Sequence, residues 1–251
     1  MVVLDSGIGS YVKIKEKTYS YFAGNDYLGL ANHPKVIENA CAALRSYGAN
    51  FSASRVTTGT SQLHMDLEDK LAEFKHKQEA VVFASGYVGN MLLLHALNDQ
   101  FTSVIADSMA HPSIIDGIPK RVSSVQYYSH LNIAQLEDLL KGQKTGRPLI
   151  ITDGIFALTG EIAPLDEIHF LAKKYNALLV VDDAHATGVL GIHGRGTPEF
   201  FNLNDDEHVF QSETMSKALG GYGGFIAAQK NVVSIIRSKS TFYGEIGRAH
   251  V

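Results

Sequence analysis

The chain has 251 residues, 45% of them hydrophobic, enough to bury a substantial core in one domain or one and a half. Its formal charge of -4 comes from 22 basic and 26 acidic residues without blocks of like sign, which argues against nucleic acid and anionic membrane as partners. The single cysteine, Cys41, excludes a disulfide framework and a thiolate metal site, and no apolar run reaches eighteen residues, so the expectation is a cytoplasmic protein that is neither exported nor membrane-spanning.

Before about residue 80 the chain is organised differently from the rest. YVKIKEKTYSYF alternates like a hairpin strand pair, NDYLGLANHP is rich in turn formers, and a helix is predicted near 34–47. This segment is expected to pack apart from the main sheet. A second helix near 63–75 leads into the first strand of a region where short β-branched runs alternate with longer amphipathic stretches, the pattern of parallel strands joined by crossover helices. The predicted strands are Ala80 to Phe83, Ser103 to Ala106, Ser124 to Tyr128, Leu149 to Thr152, Leu178 to Asp182, Val209 to Ser212 and Phe225 to Gln229. Between them lie helices near 87–98, 112–118, 133–141, 165–175 and 230–239, with apolar residues spaced by three and four. The fold class is therefore α/β, with one seven-stranded sheet covered on both faces. In such sheets ligands bind beyond the carboxyl ends of the strands, where Asp182 and Thr214 both fall.

Lys217 stands in SETMSKALGGYGGF, after a hydroxyl-rich turn and before glycines that let backbone approach a ligand. An isolated lysine of this kind is usually a surface group. Its company changes that. LLVVDDAHATG delivers Asp182 from the end of an apolar run, with His185 three residues on; a buried carboxylate needs a partner, and a ring nitrogen is one. Asp183, pointing the opposite way, is expected to cap the following turn. His111, in DSMAHPSIIDG, follows another predicted strand, where an imidazole can stack on a ring. FASGYVGNMLLLHAL runs from a strand through Ser85, Gly86 and Tyr87 into a helix whose first N–H groups suit a phosphate, and the hydroxyls of Thr214 and Ser212 can approach that phosphate from the other side. Two competing readings need no Lys217: a metal-dependent hydrolase on Asp182, Asp183 and His185, whose spacing is not a ligand signature, and a non-catalytic binding protein.

Taken in order, NDYLGLANHP, SASRVTTGT, SGYVGN, DSMAHPSIIDG, TDGIFALTG, VVDDAHATGVLGIHGRG and ETMSKALGGYGG resemble the motifs of the α-oxoamine synthase family of pyridoxal-phosphate enzymes, over about Phe22 to Gly244. The resemblance implies an aspartate-aminotransferase-like (fold type I) large domain with pyridoxal 5'-phosphate as cofactor. It implies that Lys217 forms the internal aldimine, Asp182 meets the pyridine nitrogen, His185 lies near the ring hydroxyl and His111 stacks on the ring. Thr214 and the Ser85, Gly86, Tyr87 turn would hold the phosphate, Asn25 would contact the amino-acid carboxylate, and the loop around Arg55 would lie near the active site and the dimer interface. The reaction implied is decarboxylative condensation of a small amino acid with an acyl-coenzyme A, giving an α-amino ketone, in a homodimer with shared sites; Lys217 would remove the α proton. SASRVTTGT looks more like the 8-amino-7-oxononanoate synthase branch, of biotin synthesis, while other motifs suit glycine C-acetyltransferase equally. An aminotransferase or lyase using the same lysine and aspartate is the wider alternative.

The resemblance also divides the chain: 1–48 as part of a small domain with a linker helix, 49–244 as the cofactor-binding large domain, and 245–251 as a non-native tail, since IGRAHV reads like a frame of a sequencing adapter. The family's C-terminal small domain, with its carboxylate-binding arginine, is expected to be missing, and the chain as written to be inactive or poorly active. Two positions depart from the pattern: Ala157 stands where many relatives carry serine, and Tyr87 where phenylalanine is usual.

Overall fold

In the computed structural model, residues 2–122, 124–240 and 243 are described; the tail expected at 245–251 lies outside them. The chain opens with a two-stranded antiparallel hairpin, β1 (Tyr11–Ile14) and β2 (Lys17–Ser20). Helix α1 (Pro34–Tyr47) begins with a proline at its first turn, where the lost N–H costs nothing, and buries none of its residues. Helix α2 (Gln62–Lys75) then leads to β3 (Glu79–Phe83) and α3 (Gly86–Ala96), with a short 3-10 turn at Asn98–Gln100. There follow β4 (Ser103–Asp107), α4 (Pro112–Asp116), β5 (Val125–Tyr128), α5 (Ile133–Lys141), β6 (Pro148–Asp153), α6 (Leu165–Lys174) and β7 (Leu178–Asp182). The last described elements are α7 (Thr197–Phe200), β8 (Val209–Thr214), β9 (Gly224–Ala228) and α8 (Lys230–Lys239).

All seven expected strands join one sheet, in the order β3-β9-β8-β7-β6-β4-β5. It is mostly parallel: only β9 runs against its neighbours β3 and β8. Expected boundaries hold to within two residues for the strands, while the helix predicted to run to 98 stops at Ala96 and continues as the 3-10 turn. Neither that turn nor α7 was signalled by periodicity.

The central strands are buried on both faces, which is why they read as unbroken apolar runs. Alternation sorts their residues. Leu149 and Ile151 of β6 and Leu178 and Val180 of β7 join the core under α3 and α8, whereas Ile150, Leu179 and Val181 join the core with Leu136 of α5 and Ile168 of α6. The same phase carries past the apolar residues: Asp153 follows Ile151 by two, and Asp182 follows Val180 by two. Both carboxylates therefore emerge on the α3 side, at neighbouring positions of paired strands.

Candidate active site

At the carboxyl ends of β6, β7 and β8 a cavity of about 180 Å³ opens beside the first turns of α3 and α4. It is lined by Ser85, Gly86, Tyr87, His111, Asp182, His185, Thr214 and Lys217, so all the residues expected to touch the cofactor except Ser212 converge there. Four further lining groups were not singled out from sequence: Ser113, Asp153, Ala184 and Ser216.

Asp182 is held from two sides. Its Oδ1 accepts the N–H of Ala184 at 3.1 Å, and its Oδ2 accepts Asn90 Nδ2 at 2.7 Å. Asn90 is fully buried on α3, and the same Nδ2 donates to Ser113 Oγ at 2.8 Å. The carboxylate fixes which end of the amide faces it, because the carbonyl oxygen there would repel. Ser113 Oγ in turn lies 2.7 Å from His111 Nδ1, which also accepts the Ser113 N–H as the cap of α4. A backbone N–H can only donate, so Nδ1 carries a lone pair and the ring proton of neutral His111 sits on Nε2. Asp153 Oδ1 completes the frame by accepting the His111 N–H at 3.0 Å. Burial, then the adjacent Asp182, push the Asp153 carboxyl well above the carboxylate range.

Lys217 lies in the loop from β8 to β9, its Nζ 2.8 Å from His185 Nε2. Burial lowers its pKa, opposed by Asp182 and Asp153. His185 is pushed down to about 4, by burial first and by Lys217 second, so its imidazole is neutral near pH 7. Its other nitrogen, Nδ1, lies 2.6 Å from Tyr27 Oη, and Tyr27 Oη lies 3.4 Å from Asn25 Oδ1. Asn25 does not line the cavity itself; it reaches it through Tyr27 and His185.

The first turn of α3 suits an anion. Ser85 is its cap, accepting the Tyr87 N–H at 3.3 Å, and Gly86 sits so close to β8 that a Cβ would meet Thr214 Cβ at 2.9 Å. A flat ligand carrying a phosphate, a ring nitrogen and a carbonyl fits this donor set: helix N–H groups and a hydroxyl, a carboxylate, and an amine.

Several expectations are corrected. Ser212 is buried beneath α3, where a Cβ on Gly89 would approach its Oγ at 2.7 Å, so it does not reach the cavity. The glycines after Lys217 serve chain-to-chain approach rather than a ligand: Gly220 (φ 63) packs on Leu30 and Ala31, and Gly223 (φ 90) on the Phe83 carbonyl. Asp183 does not cap its own turn; it turns to the opposite face and accepts Thr197 N–H and Gln211 Nε2. Asp182, Asp183 and His185 therefore do not converge on a metal, and no group of three such side chains does so among the described residues. Apart from these corrections, Arg55 is buried in an ion pair with Glu68 at 2.9 Å and stacks on Tyr243, and it is not among the residues lining the cavity of this chain. Ala157 is exposed and outside it too.

These features define a member of a known class. The model of the aminotransferase class I and II family matches residues 19–244, and the chain belongs to that family. Among curated relatives, 8-amino-7-oxononanoate synthase 1 of Bacillus subtilis is 41% identical over 237 residues, covering 94% of this chain and 60% of that protein. The 8-amino-7-oxononanoate synthase of Exiguobacterium sibiricum is 42% identical over 233 residues, covering 92% and 60%. The chain thus spans about 60% of the length of the curated relatives it matches. Of solved structures, Sphingomonas wittichii serine palmitoyltransferase superposes with a TM-score of 0.90 at 30% identity, covering 97% of this chain and 61% of that one. The 8-amino-7-oxononanoate synthase of Francisella tularensis gives 0.74 at 27% identity, covering 88% and 62%.

Proposed function

We propose that the cavity binds pyridoxal 5'-phosphate and that the protein to which these residues belong is an acyl-coenzyme A:amino acid C-acyltransferase of the 8-amino-7-oxononanoate synthase kind, serving biotin synthesis. The observation that carries this reading is the convergence of Lys217, Asp182, His111 and the α3 amino terminus in one cavity. The relatives named 8-amino-7-oxononanoate synthase support the choice within the family.

The cofactor, when bound, supplies a carbonyl for an amine and a protonated ring that draws electrons from the substrate's α carbon. The chain's own groups do the rest. Asp182 keeps the ring nitrogen protonated, with Asn90 and Ala184 holding the carboxylate in place. His111 would flank the ring, Ser85, Gly86, Tyr87 and Thr214 would hold the phosphate, and His185 would lie near the ring hydroxyl. Lys217, its pKa lowered by burial, supplies the amine that takes the α proton in this reading. Asn25 meets the amino-acid carboxylate at the outer end of the Tyr27 contact.

Residues 49–244 form the cofactor-binding unit in this reading, and 1–48 belong with a smaller one. The protein works as a homodimer with shared sites, supported by α1, whose Val36, Ile37, Leu44 and Tyr47 are all exposed. No described helix is long and apolar enough to cross a membrane, which accords with a cytoplasmic setting.

The test is exchange of the α hydrogen of L-alanine or glycine in deuterated water, a partial reaction that needs no thioester. The chain with pyridoxal phosphate is expected to exchange far faster than pyridoxal phosphate alone, and Lys217→Ala to abolish the difference. Equal exchange by the wild type and Lys217→Ala contradicts the proposal.

A further inference from the structure

Tyr27 belongs to the loop between β2 and α1, 158 residues from His185, yet its hydroxyl lies 2.6 Å from His185 Nδ1, with the two rings 6.1 Å apart and tilted by 48°. On the far side of the imidazole, Nε2 faces Lys217 Nζ at 2.8 Å. The three groups form a line from the lysine outward, ending 3.4 Å from Asn25 Oδ1.

Hydrogen-bond polarity along that line has two consistent solutions. A charged ammonium only donates, so Nε2 must accept; the neutral ring then carries its proton on Nδ1, which donates to Tyr27 Oη, and the Tyr27 proton turns toward Asn25. A neutral amine accepts instead, so Nε2–H donates to Nζ, and Nδ1 accepts the Tyr27 O–H. Only a group that both donates and accepts serves both states. A carboxylate would satisfy the first alone and an ammonium the second alone; a hydroxyl satisfies either by rotating about one bond. The other titratable groups bearing on this pair are Asp182, Asp153 and His111, and none is bonded to Nδ1.

We propose that Tyr27 is a positioning residue whose hydroxyl lets His185 change tautomer in step with the charge on Lys217. The geometry does not depend on a cofactor; only its use in catalysis rests on the function proposed above. Tyr27 thereby stabilises the charged lysine before the amine is consumed and accommodates the neutral one when it acts as a base.

The test uses the cofactor-free chain with 15N-labelled histidine, His185 being assigned from a His185→Gln variant. Near neutral pH the wild type is expected to show His185 protonated on Nδ1, the minor form of a free imidazole. Lys217→Met is expected to move the proton to Nε2. Tyr27→Phe keeps the ring and, at a half-exposed position, the fold. It orphans the Nδ1–H that the charged lysine requires, and an orphaned N–H costs more than an unused lone pair. The ratio of charged to neutral Lys217, read from the pH dependence of its acylation by an anhydride, should fall about threefold to tenfold. A wild-type His185 protonated on Nε2, the same tautomer in wild type and Lys217→Met, or a Lys217 titration unmoved by Tyr27→Phe would overturn the proposal. Failure of pyridoxal phosphate to bind would leave all three measurements intact and would count against the proposed function alone.

Discussion

Lys217 Nζ and His185 Nε2 lie 2.8 Å apart, two basic groups that cannot both be protonated at that distance. Burial and the neighbouring lysine push the imidazole down to about 4, so the positive charge stays on the lysine, where Asp182 favours it. A pH signature follows. The unfolded chain binds a proton on this histidine as the pH falls through about 6.5, whereas the folded chain binds it only near 4. The stability from this group is therefore complete above pH ~6.5 and lost progressively toward 4. Urea unfolding across that range should show His185→Gln losing less stability on acidification than the wild type; parallel curves would contradict it.

Asp182→Asn tests the carboxylate. The amide has nearly the same shape but cannot hold a ring nitrogen in its protonated form, so Lys217 should still react with pyridoxal phosphate while α-hydrogen exchange falls by about a hundredfold or more. Unchanged exchange would remove Asp182 from the role assigned to it.

Asn90→Leu fills the same space without a donor, leaving Asp182 Oδ2 and Ser113 Oγ each short of a partner in a buried site. The expected cost is about 1–3 kcal/mol in urea unfolding, with weaker pyridoxal phosphate binding in an absorbance titration. A variant as stable as the wild type and equally good at binding would show that this amide only fills space.

Gly86→Ala places a methyl 2.9 Å from Thr214 Cβ, so the first turn of α3 must move off β8. Affinity for inorganic phosphate and for pyridoxal phosphate should fall together, with a stability loss of about 1–3 kcal/mol. Unaltered phosphate affinity would place the anion elsewhere.

The sheet was legible because its central strands are buried on both faces and must be apolar throughout, and Asp182, Thr214 and Lys217 could be placed because each ends or follows such a run. Asp153 was legible by the same rule and was passed over, although it sits at the end of β6 in the same phase as Asp182. Asn90 left a weaker trace, a polar residue inside the apolar turn of α3. Tyr27 left none: it reaches the site through a loop, where no periodicity exists to say which way a side chain points. The glycines after Lys217 were misread for the same reason, since composition shows that backbone comes close without showing to what.

The most direct measurement is chemical. Incubate the chain with pyridoxal phosphate, reduce with borohydride, digest, and locate the cofactor by mass. Label on the peptide containing Lys217, absent from Lys217→Ala, is the predicted result. Label confined to another lysine, or no label with the chain folded, would contradict the assignment of this cavity as a pyridoxal-phosphate site.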